Sequence, residues 1–511
     1  VPHPRPADEA TVVAHDRDVL HELGYAQELA RRLGGFSNFA ISFSIICILA
    51  GGITSFQLAF SAAGGGAVGL GWPLSVALSL TVALAMGQIA SAYPTAGGLY
   101  HWAAILGGRG WGWLTAWLNL VGLVSVLAAI DVGFWLFVVR ALGPTLGIDP
   151  AALTPWHQAT AMAVIVGSQA FVNHRGIDLT SRLTDLSGWL ILAVAVTLTA
   201  ALLWCAPSLE PSRLVTLVAN GGEAGGNVWP GGTGLGHLFL LGLLLPAYTI
   251  TGFDASAHTA EETRDAERNV PRGMVRAVLW SGLFGYAMVS AFVLAMPDVA
   301  AGAAQGDRVV FWTMERVLPA WLVVACYAGI AAAQYLCGLA TVTSASRMVY
   351  AFARDGGLPW SAGLARVSAA HRTPAAAIWM VGALAVLLTL HTPVYATLTA
   401  VSVVFLYVSY GLPVALGLAA HGRRWTRMGP WTLGRWYRPV SVTAVLACAG
   451  AIAISVMPPN DLARRFTLLA LGLTAVVWVA HERRRFVGPP VGEAIARRQA
   501  AIRAAEARVG E

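Results

Sequence analysis

Apolar residues in this chain come in long blocks, not in the alternation of a strand or the one-sided stripe of a surface helix. Blocks long enough to cross a hydrocarbon core about 30 Å thick fall at 36–62, 68–93, 112–139, 154–172, 186–206, 233–258, 273–297, 318–350, 373–391, 394–419, 438–457 and 464–482. The pattern predicts twelve transmembrane helices (spans 1–12) and an all-α polytopic membrane protein. Two blocks are interrupted. Span 1, FSNFAISFSIICILAGGITSFQLAF, is expected to break at Gly51-Gly52-Ile53-Thr54. Span 6, LFLLGLLLPAYTITGFDASAHTAEE, carries Pro246 and then Thr249, Thr251, Gly252 and Asp254. Its run Leu238–Ile250 reaches roughly 20 Å as a helix, short of a crossing. Proline removes an amide donor, and glycine costs about 1 kcal/mol relative to alanine in a helix. A broken helix at membrane depth survives only where its freed N–H and C=O groups face protein or a watery cavity. Two such breaks in corresponding places mark a transport site. Five spans separate them, so spans 1–5 and 6–10 enter the membrane in opposite senses, as in a 5+5 inverted repeat, with spans 11 and 12 outside it.

Composition agrees with a membrane protein. The chain has 511 residues, 57% hydrophobic and 12% charged, where a soluble protein carries about 25% charged residues. All 33 basic residues are Arg. With the N-terminus inside, only Arg140, Arg213, Arg308, Arg316, Arg464 and Arg465 fall outside. That asymmetry places both termini in the cytoplasm. The net charge of +7 therefore belongs to loops and tails, and no nucleic-acid partner is expected. Residues 1–35 form a cytoplasmic segment, 36–482 the transmembrane domain and 483–511 a cytoplasmic tail. The first segment lacks the apolar core of a signal peptide. Within it, Asp18–Leu33 reads as an amphipathic helix under the membrane, and Val491–Val509 reads as a solvated helix. Cys47, Cys205, Cys326, Cys337 and Cys448 lie in or beside apolar runs without a CxxC pair, as free thiols packed like small hydrophobes.

Several residues could carry chemistry. Gly51, Gly52, Ile53 and Thr54 would let a carboxylate approach the amides of a half-helix N-terminus; close packing of small residues is the alternative. At the span 6 break, Thr249, Ile250, Thr251, Gly252 and Phe253 leave carbonyls that can receive an ammonium. Asp254 has three open roles: N-cap, titrating group, or partner of a cationic substrate group. Asp131 in span 3 is a hydrogen-bonded acid between helices or a coupling group. Asn119 lines the cavity or bonds between helices. Glu261, Glu262, Arg264, Asp265, Glu267, Arg268 and Arg272, with Arg347, Arg354 and Asp355, are solvated charges or a gating network. His258-x-x-Glu261-Glu262 has a metal-like spacing but no third ligand, so neither a metal nor a cofactor is expected.

Four stretches carry a resemblance: ELGYAQELARRLGGFSNFAISFSII (22–46), SAYPTAGGLYHWAA (91–104), GFDASAHTAEETRDAERNVPRGM (252–274) and SRMVYAFARDGGLPW (346–360). In this order they resemble the amino acid–polyamine–organocation (APC) superfamily of permeases, in its amino acid/choline branch, from about Asp18 through span 12. The resemblance implies a leucine-transporter (LeuT-like) fold and secondary transport of amino acids or related amines. It implies a cation position beside span 1 near Gln334, Thr341 and Thr343, whose hydroxyls otherwise bond within their own helix. Two positions depart from the family: Gln88 stands where a Glu is frequent, and span 5 has no Lys. Any proton carrier must then be another group, Asp254 first and Asp131 second.

An intramembrane enzyme is disfavoured, because paired membrane carboxylates, an HExxH helix and a Ser/His pair at depth are all missing. A Walker A loop is impossible without Lys. A channel would show pore-lining rings. The expected protein is thus not an enzyme but a permease of the cell membrane, placed in a bacterial inner membrane. Its partners are the bilayer and a small-molecule substrate, with a proton as candidate co-transported ion. Amino acids and γ-aminobutyrate lead as cargo; choline or polyamine transport, or a transporter-like sensor, is the alternative.

Overall fold

The structure, a computed structural model, describes residues 9–149, 152–391, 395–490 and 493–509. Arg5 in the N-terminal segment, Val394 at the start of the expected span 10 and Val491 at the start of the tail helix lie outside the described residues. All twelve apolar blocks are helical. Nine helices among the described residues are long and apolar enough to cross a membrane. The other three blocks have individual reasons. Span 4, Pro155–His174, carries Gln158, Gln169 and Asn173. Span 6 is broken, and span 9, Ala375–His391, is short. β-Structure among the described residues is confined to two isolated bridges, Leu33 with Thr263 and His421 with Trp425.

Burial sorts the spans. Span 1 is the most enclosed, with 89% of its apolar stretch buried, whereas spans 11 and 12 keep only 22% and 11% buried. A helix enclosed by protein on all sides can break without leaving polar backbone in lipid; a lipid-facing helix cannot. Span 1 packs against span 7 (Ala266–Ala295), span 5 (Ile177–Cys205) and span 8 (Ala320–Arg354). Span 3 (Arg109–Ala141) lies between spans 8 and 10 (Tyr395–Ala420).

The break in span 1 differs from expectation. Its first half, Gly35–Ile46, stops at Cys47 (φ 5°, ψ 89°). Gly51–Thr54 is already the first turn of the second half, which runs on through Phe56–Ala63. The unwound residues are Cys47–Ala50, four positions earlier than the glycines suggest. The span 6 break falls where the sequence places it: Leu244–Thr249 ends at Ile250 (φ −91°, ψ 52°), and Ala255–His258 starts the second half.

The ends of the chain also differ. The N-terminal helix is Glu9–Glu22, not Asp18–Leu33. Beyond it, Tyr25, Leu29, Leu33 and Arg31 are buried in irregular chain. Arg31 donates to the carbonyls of Ala260 (3.1 Å) and Thr263, and Leu33 N–H to Glu262 O (2.8 Å). The C-terminal helix Glu493–Val509 packs Ile502 and Ala505 on Ala26. Its Glu506 accepts from His21 (2.6 Å) and Gln27 N–H (3.0 Å). The tail is a docked helix, not a solvated one.

Candidate functional site

The two breaks touch. A Cβ on Gly51 would lie 2.7 Å from Thr249 Oγ1 and 2.9 Å from Thr249 Cα. Gly252, with φ +87°, sits so close to span 1 that a Cβ there would meet Ile45 Cγ2 at 2.2 Å. Side chains tie the halves across the contact: Ser42 Oγ donates to Phe253 O (2.8 Å) and accepts from Ser256 N–H (2.9 Å). Asn38 Nδ2 donates to Ser256 O (2.9 Å) and Thr263 Oγ1 (2.9 Å). Ala50 and Gly51 N–H bond back to Cys47 O, whereas Gly52 and Ile53 N–H take no backbone carbonyl among the described residues. These two amides remain at the start of the second half-helix, where an anion is favoured.

Asp254 does not cap the following half-helix. Its side chain makes no cap hydrogen bond, because spans 10 and 3 and the last residue of that same half-helix claim it. Tyr410 Oη donates to Oδ1 (2.8 Å), while Asn119 Nδ2 (3.4 Å) and His258 Nε2 (3.2 Å) reach Oδ2. Tyr410 also accepts from Gly252 N–H (3.0 Å), so span 10 satisfies a backbone group freed by the break. Asn119 lies between Asp254 and Ser409 (3.2 Å). Tyr410 and His258 are the partners the sequence reading missed: no helical spacing signals Tyr410, 156 residues away, whereas His258 lies at i+4, a spacing the sequence does show.

Asp131 lies at the junction of spans 3, 4 and 8. Gln169 donates to its Oδ1 (2.8 Å), its Oδ2 has no hydrogen-bond partner among the described residues, and Gly338 leaves room for it. Of Gln334, Thr341 and Thr343, Gln334 is the one that bonds span 1 among the described residues, donating to Leu49 O (3.4 Å). Thr341 bonds Cys337 O in its own helix (2.9 Å), and Thr343 donates to Asn173 Oδ1 (2.7 Å). Cys337 donates to Ile45 O (3.3 Å). Gln88 accepts from Leu433 N–H (2.8 Å) in the loop before span 11.

The Arg-rich end of the bundle is closed by buried charge. Arg347 grips Glu262 with two hydrogen bonds of 2.9 Å, and both side chains are fully buried. Arg354 holds Glu261 likewise (2.9 and 2.7 Å) and stacks on Tyr25, 3.9 Å from the ring centroid. Burial pushes the Glu261 carboxyl up, but Arg354 outweighs it and holds it below its ordinary value. Arg268 is not part of this lock; it pairs with Asp265 (3.2 Å) at the surface.

Beside the lock, Asp355 Oδ2 accepts from Tyr25 (2.7 Å) and Tyr100 (2.9 Å), with His101 Nε2 at 3.1 Å. His101 Nδ1 meets Thr95 Oγ1 at 2.6 Å. Burial pushes the His101 pKa below 6.5, against the pull of Asp355. Asp355 is pushed up by burial, yet the hydrogen bond from His101 and the nearby charges hold it below 3.8. A depressed histidine contributes stability that is present above its unfolded pKa and lost as pH falls through its folded pKa. The thermal midpoint is therefore expected to fall as pH drops from 6.5, well before Asp355 titrates. His101→Gln should flatten that window and, because His101 is the first of the groups that hold Asp355 down, move the acid-side drop to higher pH; unfolding followed at stepped pH reads both.

The opposite end holds a cavity of about 460 Å³. Arg140 and Asp307 pair across its wall at 2.5 Å. On its inner side Tyr395 bonds Thr54 Oγ1 (2.6 Å) and Ser55 Oγ (3.1 Å), which puts a tyrosine between cavity and break.

The family model described as amino acid permease matches residues 33–480. The amino-acid permease BAT1 of Arabidopsis thaliana is 32% identical over 508 residues, covering 92% of this chain and 95% of that protein. Its homolog in Oryza sativa subsp. japonica is 31% identical, covering 92% and 94%. The GABA-specific permease of Saccharomyces cerevisiae is 27% identical over 477 residues, covering 89% and 80%. These relatives are plant and fungal, so the expectation of a bacterial inner membrane takes no support from them. Helical blocks across the whole length, two helices broken against each other and a match over 33–480 lead to one conclusion: this chain belongs to the amino acid permease family, within the APC superfamily.

Proposed function

We infer that the protein is a secondary transporter of amino acids or related amines, γ-aminobutyrate among them, working by alternating access around broken spans 1 and 6. The observation that carries this is the contact of the two breaks, Gly51 on Thr249 and Gly252 on Ile45. Gly52 and Ile53 N–H receive the substrate carboxylate, and the carbonyls freed at Thr249–Phe253 receive its ammonium. Asn119 and Tyr410 brace that frame. The Arg-rich end faces the cytoplasm, with both termini, by the positive-inside rule. Its buried pairs Glu262–Arg347 and Glu261–Arg354 are then the inner gate, and the Arg140–Asp307 cavity is the outer vestibule. The S. cerevisiae relative named as GABA-specific supports γ-aminobutyrate as one cargo.

Counterflow in liposomes tests the reading. Purified protein is expected to exchange labelled L-alanine or γ-aminobutyrate for unlabelled substrate. Exchange of choline or a polyamine alone would reassign the cargo, and no exchange of any of them would overturn transport.

A further inference from the structure

The contacts of His258 require one proton more than a carboxylate and a neutral imidazole supply. Its Nδ1 lies 3.1 Å from Ala96 O. A carbonyl only accepts, so Nδ1 carries a hydrogen. Its Nε2 lies 3.2 Å from Asp254 Oδ2. An ionised carboxylate also only accepts. The second contact is thus a hydrogen bond only when a further proton sits between Nε2 and Oδ2, on either atom. Both side chains are fully buried. The other groups facing them are the Tyr410 hydroxyl from span 10, Asn119 from span 3 and the backbone at Gly98. All are uncharged; among the charged groups on the packed elements, Glu261 is paired with Arg354 and Glu262 with Arg347.

We propose that Asp254 and His258 form a single proton-binding site, and that its occupancy decides whether the inner gate is latched. Loaded, the pair is neutral and makes both contacts. When the proton leaves, the pair carries one buried negative charge and one hydrogen for two acceptors. The charge-assisted bond to Asp254 is the stronger, so the remaining hydrogen moves to Nε2 and the bond to Ala96 O is lost. Ala96 is the hinge of the latch: its N–H donates to Glu261 Oε1 (3.0 Å), the carboxylate gripped by Arg354. Deprotonation at span 6 therefore loosens the loop that orders Glu261. No bond other than N–H or O–H is made or broken; the proton arrives from water on one side and is released to water on the other. A substrate ammonium arriving at the neighbouring carbonyls compensates the unloaded charge, so substrate binding favours proton release, and the two are linked reciprocally.

This proposal rests on the transporter reading, and the test separates the two. Wild-type protein in liposomes is given an imposed pH gradient with labelled γ-aminobutyrate or L-alanine. Net accumulation is expected to follow the gradient, up to about tenfold per pH unit for one proton per substrate. His258→Gln and Asp254→Asn keep polar side chains that do not titrate. Both should still exchange substrate, at a reduced rate, while the gradient-driven accumulation falls to unity. A second measurement uses wild type alone: adding γ-aminobutyrate or L-alanine to purified protein in weakly buffered solution should release about one proton per substrate bound. Gradient-driven accumulation by His258→Gln at the wild-type level overturns the proposal, as does substrate binding without proton release. Wild type that exchanges substrate but ignores the gradient overturns the proposal and leaves transport standing. Wild type that exchanges nothing sinks the transporter reading itself.

Discussion

Glu262→Ala is expected to destabilise the protein by about 3–5 kcal/mol, because it strands Arg347 as an unpaired charge in a fully buried place. The bidentate pair contributes less than that number suggests: most of the loss is the cost of the orphaned guanidinium. The double variant Glu262→Ala/Arg347→Met should therefore be more stable than Glu262→Ala alone, a non-additivity that a thermal-unfolding cycle on purified protein measures directly. Function should not recover with stability, since the double variant restores packing at the inner end but not a pair that can part and re-form. Arg268→Ala is the contrast. Its pair with Asp265 is half exposed and should be nearly silent in both assays. Equal effects of Glu262→Ala and Arg268→Ala would remove the buried pair from the gate.

Gly51→Ala is the second large effect. Its Cβ would lie 2.9 Å from the Cα of Thr249, a backbone atom that cannot step aside by changing rotamer. Crowding of this kind costs about 1–3 kcal/mol. Spent on prising the two breaks apart, it lowers substrate affinity on the order of tenfold to a hundredfold. Gly51→Leu should abolish binding. At Gly52 the nearest atom is the Met288 terminal methyl, 3.2 Å away, which can move, so Gly52→Ala should cost far less. Substrate-induced thermal shifts across the three variants rank them. If Gly51→Ala binds L-alanine and γ-aminobutyrate as wild type does, the carboxylate is not held at this crossing.

The resemblance to permeases was legible in four short stretches, and the match over residues 33–480 bears it out. The candidate site was legible in part. The glycines of span 1 were found because a close approach demands them, but their role was displaced by one helical turn. They open the second half-helix, and the unwound residues are Cys47–Ala50, whose apolar side chains carry no local signal of a break. Span 6 breaks where the sequence places it, because Gly252 takes a φ of +87°, a conformation most side chains resist.

What the sequence determined by itself was the set of helices. A hydrocarbon core forces every span to satisfy its own backbone, so block length and apolarity find the helical blocks, nine of them long and apolar enough to cross a membrane among the described residues. What only the tertiary structure decided was which polar groups meet. Asp254 abandons the cap for Tyr410, Asn119 and His258; Arg31 leaves the expected amphipathic helix to hold the carbonyls of Ala260 and Thr263; the C-terminal helix turns back onto Ala26 and Gln27. Each of these choices is a competition between partners. Apart from His258, four residues from Asp254, each of these partners lies more than a hundred residues away along the chain. Burial decides such competitions, since inside the bundle an unpaired polar group costs more than a lost cap, and burial is a property of the packed molecule.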